Sequence, residues 1–150
     1  MNERLSETEL STWRSVMAAK TRLLERLDHE LQQRSSLSLT DYEILTVLSE
    51  SPRKRIRMSE LADRVLVSRS RLTYRIDRLT QLGYVNREEC ADDRRGLYAI
   101  LSDNGSATLE AATPHHTRDL RTWFFDSLDP GELETLNTIM TRIDGKLSVN

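Results

Sequence analysis

The residues whose types and spacing could do chemistry cluster between Ser68 and Leu101. Ser68, Arg69, Ser70 and Thr73 begin a basic segment that continues through Tyr74 and Arg75. Arginine can grip guanine with two parallel hydrogen bonds, and small hydroxyls can bond a base edge or a phosphate oxygen. The 3.6-residue period puts Leu72, Ile76, Leu79 and Leu82 on one face of a helix. It leaves Arg69, Ser70, Thr73, Tyr74 and Asp77 on or beside the opposite face. Ser68 suits the N-cap, and the free amides of a helix start favour an anion. The chemistry on offer is recognition of a phosphodiester polymer.

A helix stop and a hairpin come next in the chain and narrow the choice of polymer. Gly83 fits the left-handed residue that ends a helix. Val85–Glu89 and Leu97–Leu101 then read as two strands joined by a charged tip, Asp92-Asp93-Arg94-Arg95-Gly96. Arginines on such a tip can reach a minor groove, whose narrow segments attract them by their negative potential, or the flanking phosphates. Asp92 and Asp93 repel phosphate and fit a structural role instead. Asp77 and Asp92 are expected to orient the hairpin by pairing with arginines. A solvated amphipathic helix would explain the cations alone, but the order helix, turn, helix, hairpin favours duplex DNA. The candidate contacts are Ser68, Arg69, Ser70, Thr73, Tyr74 and Arg75 on the helix, with Arg94 and Arg95 on the hairpin.

The elements that must position these residues can be read on either side. From Ser6 to Arg34 apolar residues recur at helical spacing (Leu10, Trp13, Met17, Leu23 or Leu24, Leu27, Leu31) with no Gly or Pro, so one long helix is expected. Thr40-Asp41-Tyr42-Glu43 fits a capping box opening a helix from Asp41 to Glu50, with Ile44, Leu45, Val47 and Leu48 inward and Ser51-Pro52 as its stop. A basic stretch around Ile56 reads as a short strand, and Ser59–Leu66 as a helix burying Leu61, Ala62 and Val65. Ser102 begins a long helix to about Ser127, bent near Pro114. Asp129-Pro130-Gly131-Glu132 begins the last one, with Asp as cap and Pro in the first turn. The fold class is mainly α with a small β-hairpin: a winged helix-turn-helix core flanked by N- and C-terminal helices.

Composition excludes several functions. The 150 residues suit one domain, and 31% charged with only 5% aromatic residues suits a helix-rich chain. No apolar run approaches the roughly 20 residues of a membrane span, and MNERLSETEL lacks a signal-peptide core. A cytoplasmic protein, on the nucleoid when bound to DNA, is expected. The net charge of −2 hides a segregated pattern: residues 52–98 carry +5 and the remainder −7. A local positive patch is what phosphate binding needs. No cofactor or metal is expected. His115 and His116 are adjacent on a helix and point about 100° apart, and the lone Cys90 rules out an internal disulfide and a cysteine-based zinc cluster. No P-loop, G-x-S-x-G, H-E-x-x-H or nucleophile-base pattern supports an enzyme.

The chain resembles the MarR family of winged helix-turn-helix bacterial transcription regulators over nearly its whole length. Ser68-Arg69-Ser70, Leu79 and Gly83-Tyr84-Val85 carry the likeness. So do Asp92-Asp93-Arg94-Arg95, Leu101-Ser102 and Gly105. The family's wing reads D-D-R-R, four mostly apolar residues, one more, then L-T-x-x-G. This chain departs with Ile100 at a commonly polar position and with Ser102 for Thr. Arg57 stands where a Ser or Thr cap is common, which loosens the expected start of the Ser59 helix.

The resemblance implies a homodimer whose terminal helices (residues 1–36 and 102–150) interlock around DNA-binding lobes (37–101). It implies an inverted-repeat operator, repression, and release by a small, often aromatic effector. Apolar stripes give the dimer separate support: Trp13, Leu109, Leu120, Trp123, Phe124, Phe125, Leu128, Leu133, Leu136, Ile139, Met140, Ile143 and Leu147 exceed what a three-helix-plus-wing core can cover. Packing within one chain is the other reading of those stripes. Trp13 reads first as a core residue. In some family members a tryptophan on the first helix binds aromatic acids with charged residues, roles that Asp63 and Arg64 would take here. Two alternatives stand beside DNA binding: a winged-helix module for protein contacts, and a redox sensor acting through Cys90. Salt separates the first from DNA binding, because counterion release makes DNA affinity fall steeply with ionic strength.

Overall fold

The computed structural model describes residues 4–148, apart from the side chain of Arg94. Among the described residues six α-helices and three strands, besides two single-turn 3-10 helices, occur in the order α1 (Glu7–Ser35), α2 (Leu39–Glu50), β1 (Arg55–Arg57), α3 (Met58–Val65), α4 (Arg69–Gln81), β2 (Val85–Cys90), β3 (Asp93–Leu101), α5 (Asp103–Trp123) and α6 (Pro130–Leu147). This is the expected winged helix-turn-helix class, and the basic stretch around Ile56 is a strand. By internal contacts the chain divides into two compact units, residues 24–116 and the terminal segments up to 23 and from 117.

The 24–116 unit is built on apolar side chains brought from every element. Leu37, Ile44, Leu45, Leu48, Leu61, Ile76, Leu79, Val85 and Ala99 are fully buried. Leu27 and Leu31 from α1 are buried too, as are Leu109 and Ala112 from α5. Leu109 is therefore a core residue of this unit, not part of an unpartnered stripe. Leu82 is a second correction: it is 47% exposed. The stripe Leu72–Ile76–Leu79 ends there because Tyr84 N–H bonds the Leu79 carbonyl (2.9 Å) around Gly83 at φ +77°, leaving Leu82 outside the turn.

The α2 cap lies two residues earlier than the sequence suggested. Ser38, not Thr40, accepts from the Asp41 amide (3.0 Å), and Asp41 Oδ2 accepts from the Ser38 amide (3.2 Å). An Asp three residues after a Ser closes the same reciprocal box as Glu, and Ile44, Leu45 and Leu48 face inward as expected. α6 opens as expected, with Asp129 and Glu132 capping each other.

The sheet has the order β1-β3-β2, all antiparallel. The hairpin is tighter than its five-residue tip implied. Pairing runs on to Cys90 opposite Asp93, so only Ala91 and Asp92 form the turn. Since Glu89 pairs with Leu97, the three residues Arg94, Arg95 and Gly96 are looped out of the ladder as a bulge. The base of the hairpin is tied to α5: Ser102 N–H and Oγ–H donate to the carbonyls of Tyr84 (3.0 Å) and Gly83 (2.6 Å), and Ser102 Oγ accepts from Gly105 (3.0 Å). A Cβ on Gly105 would overlap the Tyr84 carbonyl oxygen, which is the physical reason for glycine there.

The terminal unit contributes little burial of its own. No residue of α6 is buried, and Trp13, Val16, Met17, Trp123, Phe125, Met140, Ile143 and Leu147 are exposed.

Candidate nucleic-acid interface

α3, a tight turn and α4 form the helix-turn-helix. Leu66 ends α3 in the left-handed region (φ +58°), and Val67 N–H returns to the Ala62 carbonyl (3.1 Å). Three residues from Leu66 to Ser68 thus reverse the chain, and Ser68 Oγ caps α4 by accepting from Arg71 (3.2 Å). With Leu72, Ile76 and Leu79 buried, the start of α4 presents Ser68, Arg69, Ser70, Thr73 and Tyr74 to solvent; Tyr74 is 63% exposed. Thr73 Oγ1 bonds back to the Arg69 carbonyl (2.9 Å), and the Ser68 and Ser70 hydroxyls meet at 3.3 Å. These contacts are local and leave the polar atoms at the surface.

The arginines sort into two groups, which the sequence does not disclose. Within residues 37–101 four described arginines are held by carboxylates: Arg55 by Glu88 (3.9 Å), Arg64 by Glu50 (3.9 Å), Arg75 by Asp41 (3.7 Å) and Arg87 by Asp77. Among the described residues, Arg57, Arg69, Arg71, Arg78 and Arg95 have no carboxylate oxygen within 4 Å.

Arg75, read from the sequence as a DNA contact, is one of the held ones. Its side chain is 21% exposed and faces Asp41, whose side chain is only 2% exposed. The period places position 75 at the flank of α4 toward α2, where a buried carboxylate waits. The spacing Ser38-x-x-Asp41 was the available signal for that carboxylate. Asp77 meets Arg87 of β2, so the helix is linked to the base of the wing rather than to its tip. At the tip, Asp93 rather than Asp92 makes the described bond, accepting from the Arg95 amide (3.0 Å); Asp92 is exposed in the turn. Arg95 is exposed beside it, and the Arg94 side chain lies outside the described residues.

Two polar clefts flank α4. One, of about 360 Å³, lies toward the wing and is lined by Arg57, Ser59, Arg69, Thr73, Asp93 and Arg95 among others. The second, of about 610 Å³, faces α1 and α2 and includes Asp28, Asp41, Arg71, Tyr74, Arg75 and Arg78.

The remaining candidates sit elsewhere. Trp13 belongs to the terminal unit and is 57% exposed, so it is no core residue of the chain by itself. Asp63 and Arg64 are on α3 in the other unit, Arg64 also donating to Ser51 Oγ (3.4 Å). Cys90 is buried at 3% exposure. His116 is buried with its ring 4.4 Å from that of Tyr42, whose hydroxyl donates to Thr113 Oγ1 (3.2 Å), whereas His115 is exposed.

Comparison with known proteins gives this geometry its context. The sequence model of the MarR family matches residues 35–96. The structure is similar to that of AbsC, a MarR family transcriptional regulator from Streptomyces coelicolor, with a TM-score of 0.93 and 38% identity over 99% of this chain and 100% of that one. It is equally similar to Sco3205 of the same organism, a MarR family regulator solved in complex with DNA (TM-score 0.95, 38% identity, 99% and 92% covered). The helix-turn-helix-type regulator YkoM of Bacillus subtilis is 29% identical over 69% of this chain; the match spans 65% of that protein, just under two thirds. These are transcription regulators, not enzymes. With 38% identity across the full length of AbsC, this chain belongs to the MarR family and is a DNA-binding transcription regulator.

Proposed function

We propose that the regulator works as a homodimer that represses by occupying an inverted-repeat operator. Segments 1–36 and 102–150 form the dimer frame, and 37–101 forms the lobe that enters DNA. The observation that carries this reading is the apolar surface of the terminal unit. Trp123 (47%), Ile143 (45%) and Leu147 (74%) are exposed there, as are Trp13 and Met140. Surface of that kind marks an interaction site, and an isologous two-fold contact is the commonest way for a chain to cover it. Two-fold symmetry then requires two half-sites in opposite orientation.

On each half-site, Ser68 and the α4 start take a phosphate, while Arg69, Ser70, Thr73 and Tyr74 read base edges. Arg94 and Arg95, looped out of the wing ladder, track the flank. The Asp77–Arg87 pair sets the angle between helix and wing, with Asp92 at the turn. A small aromatic acid acting through Trp13, Asp63 and Arg64 serves as the releasing effector. Burial of Cys90 weighs against redox control, since a thiol must meet its oxidant. The site of action is the cytoplasm; among the described residues no helix is long and apolar enough to cross a membrane.

Sedimentation equilibrium and footprinting on the promoter beside the gene test the proposal. The expected result is a two-chain mass and two protected patches one helical turn apart. A single-chain mass together with one protected patch overturns it. The effector is tested by thermal shift with aromatic carboxylic acids: the expected rise in Tm disappears in Trp13→Ala, and no rise with any of them refutes that part.

A further inference from the structure

We infer that the cleft between the start of α3, α4 and the wing is a phosphate clamp for the DNA backbone, closed by Arg57, a residue no motif assigns to DNA. Cations from three separate elements converge there. Arg57 precedes α3, Arg69 opens α4 and Arg95 lies in the wing bulge, yet all three line one cleft of about 360 Å³ with Ser59 and Thr73. Asp93 is the carboxylate in the lining, and its Oδ1 is occupied by the Arg95 amide. Three guanidiniums facing one carboxylate leave the cleft strongly positive.

None of the three has a carboxylate oxygen within 4 Å among the described residues, whereas Arg55, Arg64, Arg75 and Arg87 on neighbouring surfaces each do. Arg57, Arg69 and Arg95 are thus left without a carboxylate, as are Arg71 and Arg78 in the cleft on the other side of α4, but only the first three come from separate elements to line one cleft with room for an external anion. Arg57 is also held in place. It pairs in register with Tyr98 across the sheet and lies 5.9 Å from that ring; Arg55 stacks on the same ring at 3.9 Å. The Tyr98 side chain is the largest cause raising the Arg57 pKa above its ordinary value.

The position has a second meaning. Arg57 is the N-cap residue of α3 and gives that helix no side-chain cap, and Met58 and Ser59 of its first turn line the same cleft. A phosphate oxygen there would accept from the Arg57 and Arg95 guanidiniums together, leaving Arg69 to the base edges. The phosphodiester of DNA and a free phosphate share this chemistry; the DNA backbone is the source proposed, because Arg69 and Thr73 belong to the helix that reads the groove. The inference rests on the DNA-binding role of α4.

The test uses the full-length protein and a fluorescein-labelled mixed-sequence duplex of about 30 base pairs, titrated by anisotropy across a range of KCl. Arg57→Ala is expected to lower the salt slope, log K against log[KCl], by about 0.9 for each chain bound. Affinity near 0.1 M salt falls roughly eightfold per chain, taking the contact as neutral at 1 M. Arg57→Lys restores most of both, since a point charge still meets a phosphate. An unchanged slope in Arg57→Ala, with Arg69→Ala weakened, overturns the clamp while leaving the role of α4 intact. Failure of the wild-type protein to bind any duplex at low salt overturns the role of α4 instead. Saturable binding of inorganic phosphate by calorimetry, lost in Arg57→Ala with the DNA slope unchanged, assigns the cleft to a free anion and refutes the backbone clamp.

Discussion

Replacing Arg75 distinguishes a scaffold arginine from a DNA contact, and the structure sets the size of the effect. Asp41 Oδ1 and Arg75 Nη1 are 3.7 Å apart, a gross attraction of about 4–5 kcal/mol at an effective dielectric near 20. Desolvation offsets much of it, because the Asp41 side chain is 2% exposed, while Arg75 at 21% keeps part of its hydration. Removing the cation strands a buried carboxylate that is already committed through Oδ2 to the Ser38 amide. Breaking fully buried pairs costs about 3–5 kcal/mol, so Arg75→Met should cost roughly 2–3 once the partial exposure of the guanidinium is discounted. Asp41→Asn removes the charge from the other side and should cost a similar ~2 kcal/mol, keeping an oxygen for Ser38. The double variant should recover about 1–2 kcal/mol of the summed loss, the signature of direct coupling. Urea unfolding monitored by circular dichroism at one fixed protein concentration measures this, provided the slope m stays constant. DNA binding by Arg75→Met should keep the wild-type salt slope. Stability within about 0.5 kcal/mol of wild type, with a salt slope reduced by about 0.9, would show that Arg75 belongs to the DNA and that the ion pair is incidental.

Three further outcomes rest on named contacts. Gly105→Ala drives a methyl into the Tyr84 carbonyl, a backbone atom that cannot yield without moving the base of the wing; a loss of about 1–3 kcal/mol in unfolding free energy is expected, and a neutral result would mean that α5 slides freely against the hairpin. Arg69→Ala should lower affinity for the operator by about 1–3 kcal/mol and relax its sequence preference, whereas Arg95→Ala should weaken all duplexes alike; gel-shift titration on matched and scrambled sites separates them, and the reverse assignment refutes the division of labour. At the start of α1 the Glu9 carboxylate accepts from the Ser6 amide (2.7 Å), a backbone bond that lowers its pKa below the ordinary carboxylate range. A depressed folded value means that its capping contribution is present at neutral pH and lost as pH falls through that value. Ser6→Ala, which keeps the amide and removes only the hydroxyl, should move the Glu9 midpoint up modestly in an NMR titration, and no movement would exclude the reciprocal cap.

The elements were legible because their signals are local. Ser68, Gly83 and Asp129 each act on amides or carbonyls within a few residues, as does Ser102 in capping Gly105, and the stripe Leu72–Ile76–Leu79 needs only the helical period. The alternation from Val85 onward and the run to Leu101 located the sheet for the same reason, though not the bulge, because pairing of Cys90 with Asp93 depends on both strands at once. Thr40 and Ser38 each stand three residues before a carboxylate, so both spell a capping box, and the burial of Ile44 and Leu45 fits either. The site was harder for a different reason. An arginine in a sequence is simply a cation, and its function depends on whether a carboxylate distant in the chain reaches it first. Asp41 lies 34 positions from Arg75, and Glu88 lies 33 from Arg55. A net charge of +5 between residues 52 and 98 therefore indicates a phosphate-binding surface without saying which guanidiniums compose it. The division into held and unheld arginines is a tertiary property. A charge-reversing change at Asp41, Asp77 or Glu88 would therefore alter DNA affinity without touching DNA, by releasing a cation the fold keeps out of the interface.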